Sequence, residues 1–469
     1  MKKRWASYTI TVLIVSILMS MFILPASAVY NDDVTAPEFT SNVVYVESLD
    51  YGTVIFNKNS NVRVPMASLT KITTALVVLE NCENLDDKIT VQQSSIDIIA
   101  GTDSSTAGIK AGEILTVRQL LNLLLIRSAN EAACILADYI AGSNAAFVDM
   151  MNEYVTNLGC KDTHYINCHG LDGDEHYTTA EDLAIIIKQA LKNETFVEID
   201  SQAQYTLAAT NLREEITYST TNLLMVKNSG YYYEYCSGII TGSTSKAGYC
   251  LASTAEKNGC KYLCIILGGK SVGSNAANGA FKETVSAYNW VFSNIKRSKV
   301  VEKATVVDVV DVSLAKKTDH VRLIPSEEVF ALVPSSTDIS SEILIETVEG
   351  SIPNDIKAPI KAGDVLGKAN VTYKGEILAT IDLVAAEDIS RGFFASIGYY
   401  LGKFLTSTFM KIIYVLLVTF ILIILGMRSY NKKRRAASKT RVVHKSNHYK
   451  AKPGTDYSKN YKRTNYKRK

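Results

Sequence analysis

The sequence predicts an α/β domain whose single sheet is drawn from both of its ends and covered by helices. A small all-β domain and one C-terminal transmembrane helix follow. Three observations carry this. Strand patterns stand at both ends of residues 36–295, with helical periodicity between and after them. Short β-rich runs broken by Pro, Gly and Ser fill 300–390 without a clear helix. The densest apolar run, IIYVLLVTFILIILGM, lies within 407–427, and about twenty such residues span a bilayer.

The chain opens with Lys2, Lys3 and Arg4, then an apolar run from Tyr8 to Leu24 and Pro25-Ala26-Ser27-Ala28. A charged start, a short apolar stretch and a small-residue site form the layout of a cleaved secretory signal, here 1–28. The residues beyond it are therefore expected outside the cytoplasm. At 469 residues, 47% hydrophobic and 21% charged, the chain has the composition of a globular protein with more than one core. Its net charge of +3 conceals an asymmetry. From Arg428 to Lys469 sixteen Lys or Arg stand against one acid, Asp456, so the tail is strongly basic and the body acidic.

In the exported body, Val43–Val46 and Thr53–Phe56 read as strands joined by a turn at Asp50-Tyr51-Gly52. Pro65 precedes a helix over Ser68–Asn81, with Leu69, Ile72, Leu76 and Leu79 at helical spacing. A long helical stretch runs from Thr116 to Leu158, with capping boxes at Thr116/Gln119 and Ser128/Glu131. A helix over Thr179–Leu191 precedes the return to strand character. Gly238–Gly242, Tyr249–Ala255 and Cys260–Leu267 are strands, the last two flanking the hairpin signal Asn258-Gly259. Thr284–Ile295 closes the domain as a helix.

All eight cysteines, Cys82, Cys134, Cys160, Cys168, Cys236, Cys250, Cys260 and Cys264, lie in this exported part. Their even count permits disulfides, but a domain of this size does not need them, and several sit in apolar stretches as buried thiols do.

Residues 391–406 contain RGFFASIGYYLGK, an amphipathic approach whose aromatic residues suit a membrane interface. After the apolar span, Arg428 and Lys432-Lys433-Arg434-Arg435 mark the cytoplasmic side. Juxtamembrane Lys and Arg are each attracted to anionic lipid by about 1 kcal/mol. The partner expected for the 428–469 tail is thus the membrane surface, not nucleic acid. A single-pass protein with its body outside the cell is the resulting expectation.

Three short patterns carry the chemistry: Ser68-Leu69-Thr70-Lys71, Ser128-Ala129-Asn130 and Thr241-Gly242. Singly they are weak, since S-x-x-K should occur roughly twice by chance in such a chain. Together they describe a reaction. Residues i and i+3 share a helix face, so the Lys71 amine lies beside the Ser68 hydroxyl. A serine becomes a nucleophile when a neighbouring base takes its proton, and a lysine is that base once burial lowers its pKa. The head of the helix after Pro65 adds positive potential and free N–H groups able to bind an oxyanion.

On these motifs the sequence resembles the D-alanyl-D-alanine carboxypeptidases, low-molecular-weight penicillin-binding proteins, whose signature is S-x-x-K, a serine triplet ending in Asn, and K-T-G. PMASLTKITTAL, LLLIRSANEAACILADYIAG, LGCKDTHYINCHGLDGDEHYTTAEDLA and AGYCLASTA are similar to their peptidase domain. IKAPIKAGDVLGKANV is similar to their C-terminal β domain, so the resemblance spans roughly 40–390. It implies a β-lactamase/transpeptidase-like fold with a helical subdomain. Ser68 would be the acylated nucleophile and Lys71 its base. Ser128 would relay a proton to the leaving amine. Asn130, position 240, Thr241, Gly242 and Ser243 would bind substrate, Thr241 taking the terminal carboxylate and the Ser68 and Ser243 amides forming the oxyanion hole. The implied substrate is a peptidoglycan stem peptide ending in D-Ala-D-Ala, with β-lactams as covalent inhibitors and no metal or cofactor.

One position departs. Ile240 stands where the family has the K-T-G lysine, and it brings no charge to the substrate carboxylate. A lost charged hydrogen bond is worth roughly 1.5–3 kcal/mol, about one to two decades in rate. An enzyme of reduced efficiency is expected, the alternative being a non-catalytic wall-peptide binder or scaffold. The nearby Lys246 is expected in a turn, away from the carboxylate. A β-lactamase would lack the attached β domain and anchor. A zinc site built on His164, His169, His176, Asp172 and Asp174 matches no short helical ligand pair such as H-E-x-x-H.

Overall fold

The computed structural model describes residues 34–272 and 277–443. The expected signal sequence and the distal part of the basic tail lie outside the described residues. Two compact units emerge. The first runs up to Val307 and adds Ile324–Ser351 and Gly367–Leu383; the second comprises Asp308–Leu323, Ile352–Leu366 and the chain from Val384.

The first unit is built on a five-stranded antiparallel sheet. Its strands are β1 (Val43–Ser48), β2 (Val54–Lys58), β3 (Thr241–Thr244), β4 (Gly248–Lys257) and β5 (Cys260–Gly269), in the order β2-β1-β5-β4-β3. The two ends of the domain therefore meet at β1 and β5. The β4–β5 hairpin turns at Asn258 and Gly259, both at positive φ (54° and 72°), as a two-residue type I′ turn requires. β1 is buried along its whole length, as a strand covered on both faces must be.

One face carries α6 (Gly279–Asn294), packed on β4 and β5. α1 (Thr70–Asn81) lies at the centre of a helical layer, touching α2 (Val117–Leu125), α3 (Asn130–Ala141), α4 (Asn144–Asn157) and α5 (Ala180–Ala190). Every residue from Thr70 to Val78 is buried. The buried polar residues of α1 are bonded inside, Thr70 to the Ala67 carbonyl, Lys71 to the His169 carbonyl, Thr73 to the Tyr165 hydroxyl and Thr74 to the Cys168 carbonyl.

Three sequence expectations are revised. The stretch from Thr116 to Leu158 is three helices. It breaks at Ser128 (φ +58°) and at Gly142, a left-handed cap (φ +76°). The Thr116/Gln119 capping box forms, with bonds of 2.8 and 3.1 Å. Ser128/Glu131 does not: the residue capping α3 is Ala129, and Glu131 instead accepts from the amides of Ala107 (2.7 Å) and Ile109 (3.3 Å). The Ser68–Asn81 segment also opens with a 3₁₀ turn over Ala67–Leu69, α1 starting only at Thr70.

Beyond α6 the first unit contains β6 (Ile295–Val301) paired with β9 (Val329–Pro334), and β10 (Ile343–Thr347) paired with β12 (Val365–Tyr373). In the second unit β7 (Asp308–Ser313) pairs with β8 (His320–Pro325) and, in parallel, with β11 (Ile356–Lys357). This C-terminal domain is essentially all-β. Two helices come after it: α7 (Phe393–Leu405), with Phe393 and Phe394 exposed, and α8 (Thr408–Val443). Thr408–Arg435 of α8 is long and apolar enough to cross a membrane, with mean hydropathy 2.6 and no residue buried. All eight cysteines are free thiols, five of them buried.

Candidate active site

Ser68 sits in the 3₁₀ turn ahead of α1, where three backbone segments converge. Ala67 takes a positive φ of 49°. The Thr70 hydroxyl fixes it there by donating to the Ala67 carbonyl at 2.8 Å. A Cβ on Gly170 would fall 2.1 Å from that same carbonyl oxygen, and one on Gly242 would fall 2.6 Å from the Ser68 nitrogen. Any side chain at either position would push the Ser68 turn aside, so both must be glycine.

Lys71 lies beneath, one helical turn on, fully buried. Its Nζ is 2.9 Å from Ser68 Oγ and donates to the His169 carbonyl at 2.6 Å. Burial pushes this ammonium down from 10.5 to about 7. Near neutral pH a large fraction of Lys71 is thus the free amine, able to accept a proton from the hydroxyl beside it.

The second motif forms the turn between α2 and α3. Ser128 is 4% exposed, and the left-handed backbone described above turns it into the cleft. The Asn130 amide donates to the Ser105 carbonyl at 2.9 Å, while its side-chain Oδ1 is buried without a partner. Thr241, Gly242 and Ser243 of β3 form the facing wall. These residues surround a cleft of about 570 Å³. Lys71 lies beneath Ser68, and six of the eight residues picked from the sequence line the cleft. Ile240 does not: its side chain is fully buried in the apolar core, outside the residues that line the cleft.

Family comparison gives the same reading. Residues 31–271 match the family described as D-alanyl-D-alanine carboxypeptidase, and 296–391 match the C-terminal domain of penicillin-binding protein 5. The D-alanyl-D-alanine carboxypeptidase DacF of Bacillus subtilis is 29% identical over 345 residues, covering 74% of this chain and 85% of its own length. A Streptomyces D-alanyl-D-alanine carboxypeptidase is 34% identical over 259 residues, 53% of this chain and 86% of that protein. Among solved structures, penicillin-binding protein 5 of Haemophilus influenzae is 26% identical with a TM-score of 0.57, covering 76% of this chain and all of that one. This chain belongs to the D-alanyl-D-alanine carboxypeptidase family of serine peptidases.

The carboxypeptidase cleft also holds groups that sequence reasoning did not single out: Asp103, Ser104, Ser105, Thr221, Tyr249 and Phe281. Apart from Tyr249, which lies inside AGYCLASTA, they come from segments without a motif, and only the fold brings them near Ser68. The His169 carbonyl that positions Lys71 was missed for a different reason, since a backbone acceptor leaves no trace in residue type. The histidines have separate fates. His164 is bonded through Nδ1 to the Glu175 carbonyl at 2.6 Å, whereas His169 and His176 are buried. Burial, aided by Lys71, pushes His169 down to about 3, so it faces the cleft neutral.

No Lys or Arg lines the cleft among the described residues. Lys246 stands in the β3–β4 turn and pairs at 2.8 Å with Asp174 on the exposed surface. Asp172, beside it, accepts from Thr244 Oγ1 at 2.6 Å and from the Lys246 amide at 3.2 Å. The turn cation is thus committed elsewhere.

Proposed function

We propose that this protein removes the terminal D-alanine from peptidoglycan stem peptides ending in D-Ala-D-Ala, through an acyl-enzyme on Ser68. One observation carries the reading: a fully buried lysine, its pKa brought near neutrality, lies 2.9 Å from a serine hydroxyl at the mouth of a cleft. Lys71 takes the Ser68 proton as the oxygen attacks the carbonyl carbon of the penultimate D-alanine. The resulting oxyanion is held by the Ser68 and Ser243 amides. The proton passes by way of Ser128 to the nitrogen of the departing D-alanine, and the peptide C–N bond breaks. Water then hydrolyses the ester, with Lys71 again as base. Asn130 hydrogen-bonds the acyl arm, and Thr241 binds the terminal carboxylate. β-Lactams acylate the same serine.

The carboxylate finds no lysine at position 240, so turnover is expected to be slow. That same feature supports the second reading, a wall-peptide binder that hydrolyses little or nothing. The α8 span and the basic residues after it support a single-pass anchor, with the catalytic unit outside the cell and the tail inside, against anionic lipid. The decisive experiment combines labelling by a fluorescent penicillin with D-alanine release from a D-Ala-D-Ala peptide, for wild type and Ser68→Ala. Labelling that depends on Ser68, together with release, is expected. Labelling without release would favour the binder, and label on Ser68→Ala would overturn the assignment.

A further inference from the structure

Asp103 lies at the cleft's edge, exposed, and makes no hydrogen bond or ion pair among the described residues. Its neighbours pair with each other, the Thr102 and Ser104 hydroxyls standing 2.8 Å apart. The segment it belongs to is fastened to the second motif. The Asn130 amide bonds to the Ser105 carbonyl, and Ser105 Oγ donates to the Arg127 carbonyl at 3.0 Å. Asp103 therefore sits on the Asn130 side of the cleft, held there by backbone rather than by a flexible side chain.

Asn130 supplies the independent sign of a ligand. The residue is 3% exposed, lines the cleft, and its Oδ1 is buried with no partner among the described residues. A buried carbonyl oxygen left unpaired costs about 1–3 kcal/mol, a cost that an incoming peptide N–H removes. On the proposed mechanism that N–H comes from the acyl arm, and Asp103 lines the same cleft. The other carboxylate in the lining, Asp172, is already engaged by Thr244 and Lys246. With no cation in the lining, Asp103 is the free charge that the arm meets.

On the reading of the site given above, we infer that Asp103 selects stem peptides whose residue before the D-Ala-D-Ala pair carries a free side-chain ammonium, and pairs with that ammonium. Asn130 holds the backbone of the same residue. The subsite disfavours arms in which the amine is acylated, as it is in cross-linked wall, and so directs the enzyme to strands not yet joined through that amine.

Two peptides test this: Nα-acetyl-L-lysyl-D-alanyl-D-alanine and its Nα,Nε-diacetyl counterpart. Binding is measured by calorimetry on full-length Ser68→Ala protein, and D-alanine release on wild type. The free-amine peptide is expected to bind about tenfold more tightly, with a ratio that shrinks in high salt. Asp103→Asn in the Ser68→Ala background is expected to bring the ratio close to one. Equal binding of both peptides, a ratio that survives Asp103→Asn, or binding of neither peptide would overturn the inference. A binding ratio with no release from wild type would instead refute turnover while leaving the subsite standing.

Discussion

Thr70 Oγ1 and His176 Nε2 lie 2.7 Å apart, behind the turn that carries Ser68. His176 Nδ1 accepts from the Ile166 amide at 3.2 Å, so Nε2 bears the proton and donates to Thr70, whose own proton goes to the Ala67 carbonyl. The chain of bonds works only with a neutral ring. Burial keeps it neutral by pushing His176 down to about 4.

That depression makes stability depend on pH. An unfolded histidine takes up its proton near 6.5, the folded one only near 4. The contribution is complete above pH 6.5 and lost as pH falls toward 4, an effect of about 3 kcal/mol. Unfolding in denaturant between pH 7 and 4 is expected to show this loss together with a similar one from His169, whose pKa is pushed down to about 3, and His176→Gln should remove roughly half of the total.

Acylation should follow the free amine of Lys71. The base form predominates above its pKa, so the second-order rate of penicillin acylation is expected to rise with pH and level off above about 7. Lys71→Arg, which cannot deprotonate, should lower that rate at least a hundredfold. A rate independent of pH from 5 to 9 would remove Lys71 as the base.

The same burial costs stability. The cost is full at pH 7 and below and eases only as pH rises toward 10.5, where the unfolded lysine also becomes neutral. Lys71→Met is therefore expected to abolish acylation while raising the unfolding free energy at pH 7 by about 1–3 kcal/mol.

Gly242 should tolerate nothing larger. Gly242→Ala puts a methyl 2.6 Å from the Ser68 nitrogen. Penicillin labelling is expected to fall at least tenfold, with circular dichroism unchanged.

Restoring the missing charge should help the reaction and hurt the fold. Ile240→Lys is expected to raise D-alanine release by about one to two decades. Because position 240 is fully buried, the variant should also melt at a lower temperature. No gain in release would remove this position from carboxylate recognition.

The fold was readable wherever local chemistry and tertiary packing agree. Asn258-Gly259 dictates its own turn, Thr116 caps its own helix, and the helical spacing of Leu69, Ile72, Leu76 and Leu79 gives α1 an apolar stripe to bury. Ser128 misled because S-A-N-E has the pattern of a capping box. Tertiary contacts override it: Glu131 is drawn to the amides of Ala107 and Ile109, and Ser128 is left to turn into the cleft. Ser68, Lys71, Asn130 and Thr241–Ser243, which the fold brings together, were legible because the proposed reaction constrains residue type. Asp103 was not, since its segment has neither periodicity nor motif. Nor does the identity of Ile240 reveal that its side chain faces the core.

The order of the strands sets when this chemistry can begin. Ser68, Lys71, Ser128 and Asn130 all precede the wall at Thr241–Ser243, and β1 reaches β4 only through β5, which ends at Gly269. A growing polypeptide that already possesses Ser68 and Lys71 still has one bank of the river and not the other. A chain cut short before Thr241 is expected to carry a serine that no penicillin can find.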